Sequence, residues 1–218
     1  MKWIVTFIVL AIFQNHGYTQ TLSLHLSCLT DSIWKSHFDI DKVSVIMGDW
    51  SILAGNDTIY HDHRYQVYPF IDGSKENEFL IEINPIDLSR ITSISFQLGV
   101  DSLTHYQELG CCGLEPNNDM YWTWQSGYIG FKLEGTDHFK NKWKYHLGGF
   151  QWPFRADQKL DFSSPKTGDN HYQITLHLSE TLFTQMNQSD FKVMSPSQQS
   201  NALMKLIANS FLIRSYHE

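Results

Sequence analysis

The sequence predicts an all-β fold, an antiparallel β-sandwich with long loops and a short C-terminal helix. Three observations carry this expectation: alternation of period two recurs along the chain, turn chemistry separates the alternating runs, and helical periodicity is scarce before the end. Leu22, Leu24 and Leu26 alternate with Ser23, His25 and Ser27, and Val43, Val45 and Met47 repeat the pattern. Ile94, Phe96, Leu98 and Val100 alternate with Ser95, Gln97 and Gly99, and Ile129, Phe131 and Leu133 with Gly130, Lys132 and Glu134. Trp143, Tyr145 and Leu147, then Tyr172, Ile174, Leu176 and Leu178, complete the set. Each run offers one apolar side, as a half-buried strand must. Between the runs, Gly55-Asn56-Asp57, Asp72-Gly73-Ser74, Pro116-Asn117-Asn118-Asp119, Gly148-Gly149 and Ser164-Pro165 supply turn residues. After Ser195-Pro196, Ala202, Leu203, Leu206, Ile207 and Phe211 share one helical face, so a helix capped by Ser195 is expected to close the chain.

The 218 residues, 42% of them hydrophobic, suit one domain with one substantial core. Lys2 followed by the apolar stretch Ile4 to Phe13 and then Gly17-Tyr18-Thr19-Gln20 has the order of a secretory signal. Residues 1–20 are therefore expected to be removed, leaving 21–218 as a single periplasmic or secreted domain. The apolar stretch is short of the roughly 20 residues that span a bilayer, and no later segment approaches that length. The formal charge of -7 becomes one unit more negative when Lys2 is lost, and basic residues form no run. Nucleic acid is an unfavourable partner on both counts. Three cysteines in an exported chain make an odd number, so Cys28 can pair with Cys111 or Cys112, or none need pair.

No glycine-rich phosphate loop, nucleophile elbow or paired-histidine helix of a zinc protease is present, which disfavours hydrolase chemistry. Histidine is the abundant chemical residue, eleven in all, and strand parity turns His25, His146, His171 and His177 to the polar side. His61 and His63 project to one side and can close on one ion if they share a strand, whereas a loop would leave both in solvent. Imidazole favours copper or zinc over calcium, while Asp101, Glu115 and Asp119 could form a separate oxygen site. The segment Asp119 to Tyr128 concentrates Tyr121, Trp122, Trp124 and Tyr128 before a strand. Such rings make either a dense apolar plug or an oxidisable site.

Several blocks occur in order: Gly99-Val100-Asp101-Ser102-Leu103-Thr104, Leu114 through Ile129 with its Trp122-Thr123-Trp124, Phe131-Lys132-Leu133-Glu134-Gly135, and Tyr145-His146-Leu147-Gly148-Gly149-Phe150. These blocks resemble those of the MbnP-like copper-binding proteins, exported β-sandwich proteins named from methanobactin gene clusters. The resemblance implies a protein that is not an enzyme. It implies one copper ion, Cu(I), and a kynurenine made from the second tryptophan, here Trp124, by a partner diheme enzyme related to cytochrome c peroxidases. It implies His146 and His25 as metal ligands with Trp124, and a copper donor or acceptor as a further partner. His217 keeps the last place of a histidine-bearing tail, while Ser215 stands where relatives carry histidine. Cys111-Cys112 and Asp119, at a place where glycine is usual, also depart from the pattern. Two other readings stay open: a carbohydrate or small-ligand module with Trp122, Trp124 and Trp143 as a stacking platform, and a copper-dependent oxidase with an open coordination position.

Overall fold

The structure, a computed structural model, describes residues 20–107, 111–163, 170–187 and 192–215. The alternating runs become strands. In chain order the regular elements are β1 (Gln20–Thr30), α1 (Ser32–His37), β2 (Phe38–Ala54), β3 (Asp57–Asp72), β4 (Lys75–Glu76), β5 (Phe79–Ile86), β6 (Ser93–Leu98), α2 (Ser102–His105), β7 (Tyr121–Thr123) and β8 (Gly127–Asp137). They continue with β9 (Lys142–Gly148), β10 (Gln158–Ser163), β11 (His171–Leu178), α3 (Glu180–Asn187), β12 (Lys192–Val193), α4 (Gln198–Ala208) and β13 (Phe211–Ser215). The expected signal segment lies outside the described residues, apart from Gln20, which opens β1. No helix among the described residues is long and apolar enough to cross a membrane.

Two sheets enclose the core. One has four strands in the order β13-β11-β1-β5, and the other has nine, built on the path β10-β6-β2-β8-β9-β12 with β3, β4 and β7 attached beside it. Leu22, Leu24 and Leu26 of the small sheet meet Val43, Val45, Phe131, Leu133, Tyr145 and Leu147 of the large one in a single buried cluster. Each such side chain removed from water contributes roughly 1.5–3 kcal/mol, so the paired apolar faces drive the assembly. The sandwich is as expected, with a difference in strand direction. β1 pairs with β11 in parallel, as β12 does with β9. Alternation fixes which side of a strand is apolar but carries no direction, and strands joined by long crossovers are free to run parallel.

Two local expectations shift. The helix α4 starts at Gln198 and is capped by Ser197, whose hydroxyl accepts the Ser200 N–H at 3.0 Å. The expected cap, Ser195, lies two residues before the observed one. Phe211 begins β13 and pairs with Leu176, so the described chain ends on a strand rather than a helix. The alternation of β8 is also interrupted. Phe131 and Leu133 face the main core, while a register shift between Ile129 and Phe131 sends Ile129 to a second cluster with Ile46, Tyr65, Val100, Leu114, Met120 and Tyr128. This second cluster lies on the outer face of the large sheet.

Cys28 and Cys112 carry free thiols, so they are not joined to each other. Burial pushes the Cys28 thiol up to about 12, with a smaller opposing effect from Thr30. The side chain of Cys111 lies outside the described set.

Candidate functional site

The aromatic segment folds as a short hairpin laid on the outer face of the large sheet. Tyr121 pairs with Tyr128 and Thr123 with Gly127, and residues 124–126 form the turn. Gly127 takes φ +78, a left-handed conformation, and a side chain there would also strike the Phe150 ring. The turn divides the two tryptophans. Trp122 is half-buried, with ring atom Cζ3 3.2 Å from where a side chain on Gly148 would begin, and its Nε1 is buried without a hydrogen-bond partner. Trp124 sits in the turn itself and is 72% exposed. Trp143 is 4% exposed inside the main core, packed on Phe38 with ring centres 4.6 Å apart. A stacking platform of Trp122, Trp124 and Trp143 is therefore not assembled, because the parity of β9 turns Trp143 inward.

Helix α2 brings a histidine to this turn that the sequence reading did not single out. Asp101 caps the helix, accepting the Thr104 N–H at 2.9 Å and the Tyr65 hydroxyl at 2.9 Å. Burial alone would raise the Asp101 carboxyl, but these bonds outweigh it and hold it below the usual range. Four residues on, the His105 ring stacks on Phe150 with centres 3.5 Å apart, and its Nε2 donates to the Trp124 carbonyl at 3.2 Å. The other ring nitrogen, Nδ1, is buried and has no hydrogen-bond partner among the described residues. Burial lowers the His105 pKa, partly opposed by the Trp124 carbonyl, so the imidazole is neutral at pH 7. Its place directly after the Gly99 to Thr104 block was the available signal. Leu103 and Tyr106, both exposed, flank it on the same segment, and Gln151 donates to the Tyr106 hydroxyl at 3.0 Å, tying that segment to the loop bearing exposed Trp152.

The expected ligands His25 and His146 are not brought together. His146 is 7% exposed on the outer face of the large sheet, where Nε2 lies 2.5 Å from Glu134 Oε1. Burial lowers its pKa against the pull of Glu134, so the neutral ring donates Nε2–H to the carboxylate. The adjoining Lys132, 2% exposed, is paired at 2.9 Å with Asp119 Oδ2, which also holds Lys42 at 2.9 Å. His25 projects from the opposite side of the sandwich, beside Gln173 of β11 and Leu80 of β5, with its ring 6.4 Å from that of His171. Two sheets and the core between them, about 10 Å of packing, separate the two histidines. Asp101 serves as helix cap and Asp119 as lysine counter-ion, and among the described residues Asp101, Glu115 and Asp119 do not gather their oxygens into one cluster. His61 and His63 stand in strand β3 rather than a loop, and His217 lies outside the described residues.

A model of the MbnP family matches residues 10–204. The chain belongs to the MbnP family. Among solved structures, MbnP from Methylosinus trichosporium aligns over 76% of this chain and 78% of its own, with a TM-score of 0.51 and 12% identity. At that identity the likeness is one of fold. No curated protein matches the sequence. In the aromatic hairpin, the neutral His105 imidazole meets the backbone carbonyl of exposed Trp124.

Proposed function

We propose that this MbnP-family chain is an exported, non-enzymatic copper-binding protein. It holds one Cu(I) ion beside a kynurenine made from Trp124 by a diheme partner related to cytochrome c peroxidases, and serves copper sequestration or delivery in the periplasm or outside the cell. The observation that carries this reading is the placement of Trp124, 72% exposed in a turn where another protein's oxidising centre can approach it. Trp122, two residues away, is half-buried. Exposed Leu103, Tyr106 and Trp152 give an apolar rim suited to a transient partner.

The residues fit a soft, low-coordinate ion. An imidazole nitrogen that is buried and unpartnered leaves a lone pair unsatisfied, and His105 Nδ1 is such a donor beside Trp124. Oxidative opening of the pyrrole ring of Trp124 by the diheme partner, with a peroxide as the oxidant and the lost ring carbon leaving as formate, adds one oxygen and removes one carbon, a net gain of about 4 Da, and exposes an aryl amine whose lone pair can bind metal. The intact indole nitrogen commits its lone pair to the ring. Cu(I) supplies an acceptor for nitrogen donors when bound, His105 and the altered Trp124 would hold it, and His146 on the same outer face is the further imidazole. His25, on the other face, stays outside this set. The apolar stretch Ile4 to Phe13 supports export.

Production of the chain with and without its diheme partner tests the reading. With the partner, the peptide containing Trp124 should gain about 4 Da and the chain should hold one copper. Trp124→Phe should abolish the mass gain and weaken Cu(I) binding, and His105→Ala should weaken binding while leaving the mass gain intact. An unmodified Trp124 in copper-loaded protein from the native host would refute the kynurenine.

A further inference from the structure

Along the β2–β3 ribbon, the ladder steps from Gly48 opposite Tyr65 to Trp50 opposite Asp62, so one residue of β2, Asp49, faces both His63 and Arg64. Met47 and Trp50 both point into the main core, and the intervening bulge turns Asp49 outward with φ +49. Bulges redirect side chains in this way. On β3, His61 and His63 are two apart in an extended strand and therefore project to the same side. Their rings lie 3.9 Å apart, centre to centre, tilted by 58°. Asp49 Oδ1 is 2.8 Å from His61 Nε2 and 3.4 Å from His63 Nδ1. One donor atom from each of the three residues falls within 4.8 Å of the others, the one set of three His, Cys, Asp or Glu side chains to do so among the described residues.

We propose that Asp49, His61 and His63 form a binding site for one divalent transition-metal ion, Zn²⁺ or Cu²⁺, separate from the Trp124 hairpin. Ligands about 2.0–2.1 Å from a tetrahedral ion stand roughly 3.3 Å from one another, and Asp49 Oδ1 already lies 2.8 Å and 3.4 Å from the two imidazole nitrogens. Two imidazoles with one carboxylate select copper or zinc over the oxygen-seeking calcium and magnesium. The intervening Asp62 is engaged elsewhere: both its oxygens bind Arg64, at 2.6 Å to Nη2 and 2.9 Å to Nε. Asp49 is thus the carboxylate that faces the pair. The His61, His63 and Asp49 side chains are 36%, 77% and 34% exposed, so water or a partner's ligand can complete the coordination. The ligands sit on paired strands rather than a loop, which fixes them before the metal arrives. The site needs no modification of Trp124 and stands whether or not the kynurenine forms.

Full-length protein made without the diheme partner, its tryptophans unmodified, can be titrated with Zn²⁺ against a chromophoric chelator and examined with Cu²⁺ by electron paramagnetic resonance. We expect one ion per chain, Cu²⁺ displacing Zn²⁺, and nitrogen coupling from two imidazoles. His61→Ala and His63→Ala should each weaken binding at least tenfold, with Asp49→Ala weaker too, while His105→Ala and Trp124→Phe leave it unchanged. Unaltered Zn²⁺ affinity in a His61→Ala/His63→Ala variant, or two-nitrogen coupling that persists in it, would overturn the proposal. If that variant does not fold, protection of His61 and His63 from diethylpyrocarbonate by Zn²⁺ in the unaltered protein reads the same point, and equal modification with and without Zn²⁺ defeats it.

Discussion

Along β1 of the small sheet and β9 of the large one the sequence alternates in the same way, Leu24-His25-Leu26 in one and Tyr145-His146-Leu147 in the other, but the two histidines meet different surroundings. His25 shares an open face with exposed Gln173 and with Leu80, which is 53% exposed. His146 is covered, because the segment from Leu114 to Tyr128 crosses the outer face of the large sheet and packs Met120 and Leu114 against Ile46 and Ile129. That cover buries charge as well as carbon: Lys132 is enclosed and gains Asp119 as its counter-ion. Strand parity tells which side a residue faces, and the crossing of a distant segment decides whether that side meets water.

The largest test of this contrast removes packing from the cover. Met120→Ala, at a side chain 1% exposed, should cost about 2–4 kcal/mol in urea unfolding, whereas Leu80→Ala on the open face should cost under about 1 kcal/mol. Equal losses would mean that the cover does not fold together with the sandwich.

Charge comes next. Burial would raise the Asp119 carboxyl, but Lys132 and Lys42 outweigh it and hold it below the ordinary range. A depressed carboxylate stabilises the fold above its unfolded value near 3.9 and ceases to do so as pH falls through its folded value. Asp119→Asn should therefore destabilise the protein at neutral pH by about 1 kcal/mol, a modest figure because Asp119 is mostly exposed, and should flatten the loss of stability as pH falls below the unfolded carboxylate value of about 3.9. An unchanged acid profile would remove the pair from the account.

The smallest effect concerns the two histidines themselves. His146→Gln disturbs a buried bond to Glu134 and should cost about 1 kcal/mol, while His25→Gln should stay within about 0.5 kcal/mol by thermal or chemical unfolding. A reversed order would show the open face to be the constrained one.

Much of the molecule was legible because strand formation is local. Apolar residues two apart, as in Ile94-Ser95-Phe96, define a strand and its inner side without reference to any partner. The Trp122-Thr123-Trp124 motif was legible from its blocks, while its folding as a hairpin with Tyr128 and Gly127 was not. The family resemblance, not parity, implied His25 and His146 as ligands of one ion; the two lie on the outer faces of opposite sheets because parity is relative to each sheet and both point away from the same core. His105 was overlooked since nothing in a four-residue helix reveals that its ring will lie under the Trp124 carbonyl.

By itself the sequence determined the β-sandwich, the apolar sides of its strands, the family of the chain and the exposed-or-plug ambiguity of its tryptophans. Tertiary structure alone decided that β1 and β11, whose Ser27 and Thr175 hydroxyls meet at 3.2 Å across 148 residues, run parallel. It decided that Trp124 faces solvent while Trp122 is half-buried, and that Asp49 turns to meet His61 and His63. The physical reason is common to all three: alternation and propensity act between near neighbours, whereas direction, register and cover depend on contacts that exist only once remote segments have packed.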